Sequence, residues 1–116
     1  MPRFLTTIHL DENNVPGGPS AELMERMGAL IEEMNKAGVL LETNGLTPSA
    51  QGTRVLWSGG KISVTDGPFT ESKEVIGGYS IIQTKDQAEA VEWTKRFLQI
   101  HEDAWTISMQ VRQIAE

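Results

Sequence analysis

From Arg3 to Leu10 the chain is apolar or β-branched apart from its two ends, which predicts a first strand, closed by Asp11-Glu12-Asn13-Asn14 and Gly17-Gly18-Pro19. The period then changes. Ser20 is placed to cap a helix, Glu22 sits in its first turn, and Leu23, Met24, Met27, Leu30, Ile31 and Met34 recur at helical spacing as one apolar face. Gly38 ends that helix. Val39 to Thr43 reads as a second strand, and Thr53–Trp57 and Lys61–Thr65 flank Ser58-Gly59-Gly60 as a hairpin. Tyr79–Thr84 is a further strand. Asp86 with Glu89 forms a capping box for a second helix running to about Leu98, with Ala88, Val91, Leu98 and one or both of Trp93 and Phe97 facing inward. Thr106–Arg112 alternates polar and apolar as the last strand.

The order strand, helix, strand, hairpin, strand, helix, strand predicts an α+β sandwich with both helices on one face of a mainly antiparallel sheet. It resembles the ferredoxin-like split βαβ arrangement with an inserted β-hairpin. In the last strand Ile107, Met109 and Val111 can meet the helices while Ser108, Gln110 and Arg112 point away. Phe4, Leu5, Ile8, Tyr79, Ile81 and Ile82 are too apolar to lie all on the helix side, because neighbours in a strand alternate faces. A second copy covering the bare face and enclosing a small, partly polar cavity is the expectation.

Composition narrows the chemistry. The 116 residues make one domain, 1–116, and no cysteine is present, which excludes disulfides, thiol nucleophiles and Cys-based metal sites. The start of the chain is too polar for a signal peptide and no apolar run is long enough to cross a membrane, so a cytoplasmic protein is expected. A net charge of −6 without a basic cluster argues against nucleic acid and anionic lipid as partners.

The densest group of ionisable side chains runs from Thr65 to Tyr79. Asp66 could serve as general base or orient a histidine; equally, an Asp before Gly-Pro caps a turn. His9, with Asp11 two residues on, has the imidazole-carboxylate pattern of acid/base catalysis, or is simply a packed or solvated strand-end side chain. Glu71, Lys73 and Glu74 form a solvated turn, or Glu71 or Lys73 folds over a pocket mouth. Phe69 and Tyr79 bracket the loop and could line a pocket, with core packing the simpler role for Phe69. Arg112 projects from the bare face, where it could clamp a carboxylate ligand or pair across a dimer. Gly77-Gly78 permits a bulge or a sharp entry into the strand, and no phosphate-loop pattern accompanies it. The two histidines lie far apart without a zinc motif, so neither metal nor cofactor is expected.

Asp66-Gly67-Pro68-Phe69, followed by Glu71, Lys73-Glu74 and Gly77-Gly78-Tyr79, resembles the motif of the DGPF group of YCII-related proteins. Ala37-Gly38-Val39-Leu40, Gly45-Leu46-Thr47-Pro48, Ala90-Val91-Glu92-Trp93 and Val111-Arg112 extend the resemblance over nearly the whole chain, with Gln110 standing where the family usually has Glu. It implies the dimeric α/β-barrel superfamily, whose members pair through their sheets and include isomerases, monooxygenases and dehydrochlorinases. Some YCII proteins carry a His-Asp pair proposed as catalytic. Two roles are thus expected: a homodimer that binds a small organic molecule near Asp66–Tyr79, with isomerase- or elimination-type proton transfer by His9 and Asp66; or a non-enzymatic dimeric interaction module, linked to sigma-factor regulation.

Overall fold

The structure, a computed structural model, describes residues 1–14, 17–69 and 74–116. Among them six strands and two helices follow one another as β1 (Arg3–Leu10), α1 (Ala21–Lys36), β2 (Leu40–Gly45), β3 (Thr53–Ser58), β4 (Lys61–Asp66), β5 (Val75–Gln83), α2 (Gln87–Gln99) and β6 (Ser108–Gln113). Short 3₁₀ turns lie at Glu12–Asn14 and Ser49–Gln51.

Four strands form one antiparallel sheet in the order β2-β5-β1-β6. Each helix therefore bridges two strands that have another strand between them: α1 spans β1 to β2 across β5, and α2 spans β5 to β6 across β1. Both crossovers land on the same face, as a ferredoxin-like α+β fold requires. Among the described residues β3 and β4 pair only with each other, joined by Gly59 and Gly60 at φ +61° and +78°, a turn open to few other residues.

Local signals explain the helices. The Ser20 hydroxyl accepts from the Leu23 amide (3.1 Å), and the Asp86 carboxylate accepts from the Glu89 amide (2.9 Å). Gly38 closes α1 at φ +72°. The buried stripe of α1 is narrower than the spacing predicts: Leu23, Leu30 and Met34 are buried, whereas Met24 is 56% exposed. On α2 the buried stripe is also shifted. Ala90 and Thr94 are buried, with Trp93 and Phe97 packed on the core, while Ala88 is exposed and Val91 and Leu98 are half-buried. Thr94 can be buried because its hydroxyl donates to the Ala90 carbonyl at 2.9 Å. Phe4, Leu30, Met34, Val39, Ile82 and Ala90 make the core between sheet and helices.

β5 begins at Val75, four residues before the predicted start, and runs through the glycine pair. Ile8 pairs with Gly78 but His9 with Ile76, so Gly77 is an extra residue in a β-bulge. A Cβ at Gly77 would touch Leu10 at 3.0 Å, and one at Gly78 would meet the Asn44 carbonyl oxygen at 3.1 Å. Close approach is what the glycines provide here. The molecule measures 46 × 38 × 18 Å, a thin slab with helices on one side only.

Candidate functional site

Phe4 and Thr6 point into the core, so Leu5, Thr7 and His9 stand on the other side of β1. Antiparallel pairing carries that parity to the neighbouring strands. Two rows of side chains cross the bare face: Asn44, Tyr79, Thr7 and Gln110 in one, Glu42, Ile81, Leu5 and Arg112 in the other. His9 lies one step along from Thr7, opposite Ser108.

These rows are partly wired. Thr7 Oγ1 and His9 Nε2 are 2.8 Å apart, a bond that fixes the imidazole. The Tyr79 hydroxyl donates to the Glu42 carboxylate and accepts from Asn44 Nδ2 at 3.1 Å. Ser108 Oγ donates to Glu74 Oε1 at 3.2 Å. Arg3, at the start of the face, is bound to Glu116 through Nε (2.7 Å), and that hydrogen bond holds the Glu116 carboxyl below its ordinary range. Arg112 makes no ion pair among the described residues. The second row thus runs from a carboxylate, over two apolar side chains, to a guanidinium. The strands at its two ends lie about 14 Å apart, three inter-strand spacings.

Asp66 is placed elsewhere. It closes β4 in the two-stranded sheet, is exposed, and accepts from Thr53 Oγ1 at 3.2 Å across the hairpin. No hydrogen bond joins it to His9 among the described residues. The next residues fasten the hairpin to the body. The Gly67 amide donates to the Gly52 carbonyl (2.9 Å), and a Cβ at Gly67 would stand 1.8 Å from the Ser49 carbonyl oxygen. Ser49 in turn donates its amide to Glu12 Oε2 at 2.8 Å. The Gly67-Pro68 bond is cis, and the half-buried Phe69 ring lies 4.4 Å beneath the Arg54 guanidinium. Glu71 and Lys73 fall outside the described residues. Asp11 accepts from the Asn13 amide at 3.0 Å in a local turn.

Sequence reading thus reached His9, Tyr79, Gln110 and Arg112 on the face but missed Glu42, Asn44 and Thr7. The alternation Glu42-Thr43-Asn44 carried the signal, since it places two polar side chains on one side of a strand. On the helix side a cavity of about 40 Å³, lined by Thr6, Thr43, Ser80, Met34, Trp93 and Phe97, is of the size of a water molecule or two and sits within the core packing. Among the described residues no three His, Asp or Glu side chains form a metal-binding set, and no helix is long and apolar enough to cross a membrane.

Two comparisons bear on these observations. The family model of the YCII-related domain matches residues 3–109, from the start of β1 into β6. A search of curated proteins found no match.

Proposed function

Since the chain belongs to the family of YCII-related domains, we propose that its bare sheet face binds a small organic molecule with an apolar body and an anionic end, inside a cavity closed by a second copy of the chain. The observation that carries this reading is the row Glu42, Ile81, Leu5 and Arg112, with Tyr79 in the next row and His9 one step beyond that. Arg112 holds the anionic group through charge-assisted hydrogen bonds. Leu5 and Ile81 contact the apolar body. His9, with Nε2 held by Thr7, offers Nδ1 to exchange a proton with a carbon acid beside the anionic group. The Tyr79 and Glu42 pair, on β5 and β2, is a second proton path beside it. Proton removal by one group and return by the other is isomerisation; removal with departure of a leaving group is elimination. Covering the face excludes water and strengthens each of these interactions.

A thermal-shift screen of small carboxylates, lactones and phenols tests the site. A ligand at about a hundred times its Kd raises stability by about 2.7 kcal/mol. The expected result is a hit that Arg112→Gln abolishes, Tyr79→Phe weakens and Asp66→Asn leaves intact. A hit lost in Asp66→Asn and kept in Arg112→Gln moves the ligand to the hairpin base and overturns the assignment to the sheet face.

A further inference from the structure

We propose that the β3–β4 ribbon is an interchain arm whose apolar face packs on a second copy of this chain. The inference adds to the pairing of bare faces proposed above and is separable from it.

Cross-strand pairing sets Val55 opposite Val64 and Trp57 opposite Ile62, so all four share one face of the ribbon. They are 64–70% exposed. The other face pairs Arg54 with Thr65, Leu56 with Ser63 and Ser58 with Lys61, polar but for Leu56. Two strands alone are marginal in water, and four large apolar side chains on one rigid surface mark a contact region. Within the chain the ribbon is fastened at its base, by Thr53 to Asp66 and by Gly67 against Ser49 and Gly52.

Surface area points to a copy of the same chain as the occupant. The accessible surface is 7836 Å², against about 6,300 Å² for a compact monomer of this mass. A standard interface hides about 800 Å² per partner, and the four side chains of the ribbon supply on the order of half of that. A two-fold contact applies each surface twice, so ribbon and bare sheet face together reach the area a stable dimer needs. Charge agrees. Residues 53–66 hold two basic side chains, Arg54 and Lys61, and one acidic, Asp66, in a chain of net charge −6. The arm is thus close to neutral, with both cations on the face away from the apolar contact, so a second acidic copy meets little repulsion there.

Sedimentation equilibrium on the full chain decides the matter, using wild type, Trp57→Ser/Ile62→Thr on the ribbon and Ile81→Asp on the sheet face. The expected outcome is a wild-type dimer and a ribbon variant whose dimer dissociation constant rises at least tenfold, with circular dichroism unchanged. Should the double variant lose its fold, Val64→Thr replaces it and reads the same shift on a smaller scale. A ribbon variant that dimerises like wild type overturns the arm, and if Ile81→Asp then gives monomer the sheet-face reading survives alone. A dimer broken by the ribbon variant but not by Ile81→Asp keeps the arm and removes the sheet-face pairing. Wild type that stays monomeric into the hundred-micromolar range overturns both.

Discussion

A Cβ at Gly67 would stand 1.8 Å from the Ser49 carbonyl oxygen, and that oxygen belongs to backbone already tied down by Glu12. Gly67→Ala must therefore move the turn or the hairpin. Equilibrium denaturation should show a loss of about 3 kcal/mol, at the upper end for overpacking. Gly28, in the middle of α1, is the control: nothing lies within 4 Å, so Gly28→Ala should gain about 0.5–1 kcal/mol from helix propensity alone. Residue type was legible in the sequence at such positions, but partners were not. The Asp66 side chain meets Thr53, thirteen residues upstream, and the Tyr79 hydroxyl meets Glu42, thirty-seven away. Only strand register, which a single sequence does not display, brings those pairs together.

At the scale of elements, periodicity located both helices and all six strands, and the Ser20 and Asp86 caps fixed where the helices start. The face each helix buries was less legible. On α2 the inward position of Thr94 depends on its bond to the Ala90 carbonyl, so a polar residue holds a core site that counting apolar residues assigns to Ala88 and Val91. Of the two roles the sequence allows Gly77-Gly78, the sheet takes the bulge, and β5 therefore starts four residues before Tyr79. Between the helices, the Arg96 guanidinium grips the Glu33 carboxylate with two hydrogen bonds, and that grip holds the Glu33 carboxyl below its ordinary value of 4.5. A carboxyl lowered in the folded state adds stability above its unfolded value and loses it as the pH falls through the folded one. Glu33→Gln should thus lie slightly below wild type in stability at neutral pH and converge with it in acid. Urea midpoints taken from pH 7 down to pH 3 would show the convergence. Both side chains are exposed, so the gap is small.

For the whole molecule, the order of elements was enough to give the ferredoxin-like α+β topology, and strand alternation was enough to leave one face without helices. The standing of the hairpin was not legible: its alternation fits a strand pair buried in a sheet as well as one that projects from it. In the structure it projects, and the slab keeps about 1,500 Å² more surface than a compact chain of its mass. Calorimetry gives that surplus a thermal meaning. Unfolding a 116-residue chain ordinarily raises the heat capacity by about 1.4–1.7 kcal/mol/K, in proportion to the area newly wetted. A lone slab has less left to wet, so its increment should fall short by a few tenths of a kcal/mol/K and its stability curve should be flatter. Paired slabs recover the full increment, and dilution would change the curvature of stability with temperature as well as the midpoint.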